Sequence, residues 1–351
     1  MRETQGTAAE ATMKPGLASL FVSVSPHVKN TETVGKIMWT VVACLMPPLI
    51  LSVFIFGFQT LIITLFSVGS CVATEAISEK LLHRPITIKD GSAVITGLLL
   101  AYVIPPGVPY WMPILGGVMA IFVTKQLMGG LGFNVFNPAL IGRAFLLATY
   151  PVAMTSAWLP PIHHAAIFEY MGKGVDAVST ATPLYLLKHY GIGAVIEKFG
   201  SMSTIYGNFF VGWRPGCIGE TSALLLLLGG LFLIYKKYIT WHIPVSMIVT
   251  IAVLTWIFGG EKFFTGNPLL AVLSGGVMLG AFFMATDYVT SPSQKNAKLI
   301  FGAGVGALTV LIRLKGGYPE GVCYAILLMN TMVIPLDSWF RPKRFSEGAA
   351  K

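Results

Sequence analysis

The sequence predicts an all-α polytopic membrane protein, with about ten transmembrane helices in two inverted five-helix repeats, some of them broken. Three observations predict it. The first is composition: of 351 residues, 54% are hydrophobic and only 11% charged, with a mean hydropathy of +0.73. A soluble domain is nearer a quarter charged, so this chain has too little polar surface to cover a water-facing globule. The second is a series of ten apolar runs. The third is an internal echo between the two halves.

The runs come in chain order. Crossing a core of roughly 30 Å takes about 17–25 residues. The first five candidates are Ile37–Gly57, Thr60–Ile77, Ser92–Ile104, Trp111–Met128 and Val135–Thr149. The second five are Ser222–Tyr238, Ile243–Phe258, Leu269–Thr286, Leu299–Leu314 and Gly321–Leu336. Ser92–Ile104 is short and ends at Pro105-Pro106-Gly107; Val135–Thr149 is short and follows a glycine run. Short spans interrupted by glycine or proline read as broken helices, which survive at membrane depth only when buried in protein or lining a cavity.

An even number of spans puts both termini on one side. With the N-terminus inside, sixteen of the 24 lysines and arginines fall on inner segments, which supports cytoplasmic termini. The predicted organisation is a cytoplasmic lead-in at 1–36, a first repeat at 37–149, an extracytoplasmic loop at 150–221, a second repeat at 222–336 and a cytoplasmic tail at 337–351. The lead-in carries Lys14, Lys29 and Lys36 and no apolar stretch of the kind a cleavable signal peptide needs.

The echo pairs Thr96–Pro106 ("TGLLLAYVIPP") with Leu279–Pro292 ("LGAFFMATDYVTSP"), and Lys125–Ala139 with Ile312–Ala325, at an offset of about 185 residues. Halves of five spans each are necessarily inverted relative to one another. Inverted repeats are a transporter-type architecture with a site near the bilayer midplane.

Composition also excludes functions. The formal charge of +9 would suggest nucleic acid in a soluble protein. Here the charge follows membrane topology, and no nucleic-acid-reading motif is present. The cysteines at 44, 71, 217 and 323 are far apart. A metal or iron–sulfur site made by this chain alone is not expected, and three of the four lie in apolar runs where cysteine packs as a small hydrophobe.

Four stretches could carry chemistry. In Met128–Phe145 ("MGGLGFNVFNPALIGRAF"), glycines permit close backbone approach and Asn134 and Asn137 offer amide donors and acceptors. Asn137 suits a helix N-cap before Pro138. Arg143 lies at membrane depth, either as a functional group or as a charge snorkelling outward. In Phe283–Lys298, Asp287 stands at the inner end of an apolar span with Thr286, Thr290 and Ser291. This oxygen-rich group could hold a cation or relay a proton, or could simply end a helix. Glu75 near the inner end of the second span is a similar candidate. In Gly212–Gly230, Gly219 and Thr221 precede a helix start that suits an anion as well as an ordinary cap. In Asp176–Leu184, Ser179, Thr180 and Thr182 have no base partner for hydrolysis. Pro183 holds Thr182 in extended backbone, so residue chemistry alone gives an exposed hydroxyl on a linker.

Taken together, "KDGSAVITGLLLAYVIPP", "GGLGFNVFNPALIGRAF", "DAVSTATPL", "GCIGETSAL", "FMATDYVTSP" and "KGGYPEGVCYAILLMN" resemble one family over about Ser25–Asp337. It unites the D subunit of the Rnf ion-translocating ferredoxin:NAD oxidoreductase with the B subunit of the sodium-translocating NADH:quinone oxidoreductase. The short lead-in and total length look more like the Rnf branch. The resemblance implies a urea-transporter-like fold. It implies FMN joined through its phosphate to a threonine on the outer side, which maps to Thr182 with Ser179 beside it. It implies a non-covalent riboflavin in the membrane part, for which Asn134 and Asn137 are candidates. The implied partners are the rest of the Rnf complex, notably its flavin-carrying G subunit and the subunits facing ferredoxin and NAD, a flavin transferase, and Na⁺ or H⁺. The implied location is the bacterial or archaeal cell membrane. The chain departs from the family pattern at Thr180, often glycine, and at Cys217, often serine. A urea-type solute channel without redox chemistry is the rival reading.

Overall fold

The computed structural model describes residues 32–161, 182–260, 262–317 and 320–341. The chain divides into two compact units, Met1–Thr33 and Val34–Lys351, and the second holds everything below. The described residues are helical and contain no strand.

The first half consists of α1 (Val34–Phe56), α2 (Gln59–Leu81), α3 (Ser92–Tyr102), α4 (Trp111–Val118) running into a π-helical segment Met119–Gln126, and α5 (Pro138–Thr149). A short α6 (Pro151–Ser156), then α7 (Pro183–Phe199) and α8 (Met202–Val211), lead to the second half. That half holds α9 (Ala223–Tyr235), α10 (His242–Phe258), α11 (Pro268–Leu273), α12 (Val277–Leu279) running into a second π-helical segment Gly280–Met284, α13 (Lys295–Lys315), α14 (Val322–Thr331) and α15 (Val333–Trp339). Each of the ten apolar runs falls on helix. Among the described residues three helices, α1, α2 and α13, are long and apolar enough to cross a membrane alone, and α14 with α15 makes a fourth bent by 51°.

The eighth run differs from expectation. Leu269–Thr286 is not one rod but α11, a break at Ser274–Gly276, and α12 with its π segment. Gly275 adopts φ 66°, a left-handed conformation that glycine alone takes without strain. α3 is short as expected: 11 residues rise about 16 Å, roughly half a bilayer core. The carbonyls just past its end are met from a distant segment. Cys217 Sγ–H donates to Val103 O (3.4 Å) and Ile218 N–H to Ile104 O (3.3 Å).

Small residues set the helix spacing. A Cβ on Gly97 of α3 would stand 2.6 Å from the Val68 Cα of α2, and Ser67 Oγ donates to Gly97 O at 2.7 Å. On α13, Gly302 and Gly306 lie one turn apart. There a Cβ would come within 2.7 Å of Ile243 O and 2.9 Å of Met247 O on α10. Lipid supplies no hydrophobic drive between helices, so this close backbone contact is what packs them.

Candidate functional site

A cavity of about 100 Å³ lies between the two halves, at the end where α2 finishes and α3 begins. Phe282 and Phe283 of the second π segment form apolar wall. Lys125 of the first π segment, Asn134, Asn137 and Asp287 supply polar groups. Single π turns are rare and frequent at functional sites; here both π segments deliver residues to one cavity.

Each polar group is held. Asn137 caps α5 as its sequence position suggests: its Oδ1 accepts from the amides of Ala139 (3.1 Å) and Leu140 (3.3 Å). Its Nδ2 reaches across the halves to Met284 O at 3.3 Å. Asn134 Nδ2 donates to Phe136 O at 3.2 Å. Asp287 accepts from Thr290 Oγ1 at 3.1 Å, and burial raises its carboxyl pKa above the usual 3.8.

Behind the cavity sits a fully buried ion pair. Lys125 Nζ pairs with Glu75 and also donates to Ser92 Oγ at 2.6 Å. Gln126 Nε2 donates to the same Glu75 oxygen at 3.3 Å. In the sequence Glu75 is only a weak candidate, and Lys125 counts among the inner-side charges. A lysine inside an apolar span, "IFVTKQLM", is the signal that marks it.

A second polar centre lies at the opposite end. Arg143 does not snorkel: it is buried and paired with Glu320. Glu220 is buried beside Glu320 and Cys217, whose ligand atoms all lie within 4.8 Å. Arg214 Nη2 donates to Glu220 O at 3.0 Å; Arg313 donates to Ala271 O (2.7 Å) and Ser274 O (3.0 Å), holding the α11–α12 break. Cys217, Glu220 and Glu320 make a poor cation cage, because three guanidiniums surround them. The unmet atoms are mostly donors: Arg143 Nε, Arg214 Nε and Nη1, and Arg313 Nε find no partner among the described residues. Such a centre suits an anion. Of the expected anion-site pair, Thr221 has a buried hydroxyl without a partner among the described residues, whereas Gly219 packs its backbone on the Tyr102 side chain, where a Cβ would stand 2.5 Å away.

Thr182 stands at the start of α7. Its backbone is extended (φ −68°, ψ 154°) and Pro183 opens α7, as predicted. The expected exposure is wrong: Thr182 is 5% exposed. Its Oγ accepts from Tyr185 N–H at 3.2 Å, and this capping bond folds the hydroxyl against the first turn. Leu184, two residues after Thr182, and the Arg313 guanidinium come within 2.8 and 2.7 Å of the point where a Gly275 Cβ would stand, so α7 and Arg313 both pack on the break between α11 and α12. Ser179 and Thr180 lie outside the described residues.

Comparison with known proteins follows the same lines. The model of the NQR2, RnfD, RnfE family matches residues 21–346. Similar proteins include the D subunit of the proton-translocating ferredoxin:NAD(+) oxidoreductase complex of Clostridium ljungdahlii, 50% identical over 96% of this chain and 98% of the relative. The D subunit of the Na(+)-translocating ferredoxin:NAD(+) oxidoreductase complex of Acetobacterium woodii is 44% identical over 93% of this chain and 95% of its own. The D subunit of the ion-translocating oxidoreductase complex of Citrobacter koseri is 40% identical over 92% and 97%.

Proposed function

The chain belongs to the NQR2, RnfD, RnfE family, and on that premise we propose that it is the membrane subunit of an ion-translocating ferredoxin:NAD oxidoreductase complex that carries electrons through flavin. The observation that carries the reading is the cavity between the halves, with aromatic wall and convergent polar groups, in a chain 50% and 44% identical to subunits named for such complexes. Ten crossings in two inverted repeats, with both termini cytoplasmic, complete the proposed architecture. The cavity then opens toward the cytoplasm and residues 150–221 lie outside.

The residues fit the two flavins differently. In the cavity, Phe282 and Phe283 offer aromatic wall and Asn134, Asn137 and Lys125 polar groups of the kind a riboflavin ring meets; at about 100 Å³ the cavity must widen to admit one. At the second centre, unmet arginine N–H groups suit a phosphate-bearing ligand such as FMN, and Thr182, two residues before the Leu184 that packs with Arg313 on Gly275, is the oxygen we assign to its ester. A flavin supplies reversible storage of one or two electrons; the protein supplies position, exclusion of water and charge. Thr182 must turn its hydroxyl from the Tyr185 amide to be esterified, a displacement that the transferase would bring about. Asp287, Arg143 and Glu75 are the candidates for the ion path. Similar proteins are named for protons in one case and sodium in another, so the coupling ion is a property to be measured on this complex.

Mass spectrometry of the complex, made together with its transferase, tests the reading. An FMN-sized adduct on the Thr182 peptide is expected. An unmodified peptide refutes the covalent site. A colourless complex without flavin fluorescence refutes the redox reading in favour of a solute channel.

A further inference from the structure

The two polar centres are unmet in opposite senses. Behind the cavity the orphaned atoms are acceptors, Glu75 Oε2 and Gln126 Oε1; around the arginines they are mostly donors. Buried polar groups in native proteins are almost always met, so the arginine centre is incomplete as it stands. Its charges say the same. Arg143 pairs with Glu320. Arg214 and Arg313 spend their bonded N–H groups on main-chain carbonyls and form no ion pair among the described residues. Three guanidiniums against two carboxylates leave one positive charge unbalanced, on arginines at most 9% exposed. The carboxylates in turn crowd each other. Oxygens of Glu220 and Glu320 and the Cys217 Sγ lie within 4.8 Å of one another, and Glu220 Oε1 has no partner among the described residues. Burial and the Glu320 carboxylate push the Glu220 carboxyl up to about 8, against the pull of Arg214, Arg143 and Arg313. Cys217 faces the same group as a thiol that burial keeps neutral, donating to Val103 O at 3.4 Å. With a proton on Glu220, every orphaned group of the centre becomes a donor: the arginine nitrogens, the Thr221 hydroxyl and the Glu220 carboxyl itself.

The break between α11 and α12 leaves room beside these groups. At Gly275 a Cβ would stand 2.7 Å from the Arg313 guanidinium, but at Gly276, one residue on and part-exposed, it would meet nothing nearer than Glu220 Oε1 at 3.9 Å. The space next to that oxygen is open. We propose that the space between Gly276 and Glu220 seats one anionic oxygen of a phosphate group, held by Arg214 and Arg313, and that this anion and one proton on Glu220 bind together. The proposal rests on reading the arginine centre as the phosphate site of a flavin-carrying subunit, and adds the atoms that seat the charge and the proton that regulates it. Guanidinium forks suit an oxyanion, and in a buried site their charge is worth more than in water. Each partner favours the other. The proton removes the carboxylate charge that would repel the anion, and the anion's charge strengthens the hold of Glu220 on the proton. When Glu220 ionises, its own carboxylate balances the spare guanidinium and the anion leaves. No covalent bond forms or breaks.

The test reads thermal unfolding of the whole purified complex against added sulfate at constant ionic strength, in the parent and in Thr182→Ala, which lacks the ester oxygen. Sulfate is the probe because it does not itself titrate near neutral pH. It should raise the melting temperature of the Thr182→Ala complex. Its half-saturating concentration should be level below about pH 8 and rise roughly tenfold per pH unit above it, the slope of one linked proton. Gly276→Ala puts a methyl group into the open space at an unstrained backbone (φ −73°), so it should fold as the parent does and lose the response. Arg214→Lys should weaken binding roughly tenfold. Glu220→Gln should keep the response and level its pH dependence. A parent that responds less than Thr182→Ala identifies the flavin phosphate as the occupant, and a parent that responds equally identifies a free phosphate; both uphold the site. No sulfate response in either complex, a response that survives Gly276→Ala, or a pH dependence that survives Glu220→Gln overturns the proposal. The mass of the Thr182 peptide judges the parent reading separately: an unmodified peptide beside an intact sulfate response refutes the covalent site and leaves the anion site standing.

Discussion

Lys125→Met is the substitution whose cost follows most directly from the structure. It removes the ammonium and leaves Glu75, with no exposed surface, facing only the Gln126 amide. Ser92 Oγ loses its donor as well. Removing one partner of a buried pair costs about 3–5 kcal/mol, because the remaining charge is uncompensated. At roughly 1–2 °C per kcal/mol for a chain of 351 residues, the melting temperature of this subunit in the purified complex should fall by about 4–7 °C. The double variant Lys125→Met/Glu75→Leu removes both charges and fills the space with apolar groups. Replacing a whole buried pair this way is often neutral or stabilising, so the double variant should recover most of the loss. The assay is thermal unfolding in detergent followed by tryptophan fluorescence. The four proteins form a double-mutant cycle whose interaction energy should exceed about 2 kcal/mol. Additivity within about 0.5 kcal/mol would refute the reasoning, as would a Lys125→Met protein as stable as the parent.

Three further outcomes are expected. Gly97→Val should separate α2 from α3 and destabilise by about 1–3 kcal/mol, since even a Cβ there meets Val68 Cα at 2.6 Å; unchanged thermal stability would contradict that close contact. Asp287→Asn should stabilise the protein at pH 7. The folded state raises the Asp287 pKa above 3.8, so the ionised group costs stability once pH exceeds the unfolded value, and the gain should vanish when pH falls below it; an equal gain at every pH would show another cause. Thr182→Ala should abolish the flavin adduct and, through the lost cap, cost about 1 kcal/mol, whereas Thr182→Ser should keep the cap; an adduct persisting on the alanine variant's peptide would move the attachment site elsewhere.

Much of this protein is legible in its sequence because bilayer chemistry leaves few choices. Apolar runs must be helices, since each backbone amide needs a partner where there is no water. The Asn137-Pro138 pair must cap one of them, because the amide bonds and fixed φ are local properties. The same local logic set Thr182 in extended backbone ahead of Pro183. It could not say that the hydroxyl is buried, because burial is set by how α7 packs, here with Leu184 against Gly275 of the other half. Nor could it pair Arg143 with Glu320, 177 residues away, or put Glu75 against Lys125 across 50. A single charge in an apolar run announces that it needs a partner, but the partner is chosen by how helices pack. Sequence therefore determined which segments are helical and which groups are out of place in lipid. Only the tertiary structure decided which of those groups meet, leaving one centre mostly short of acceptors and the other short of donors.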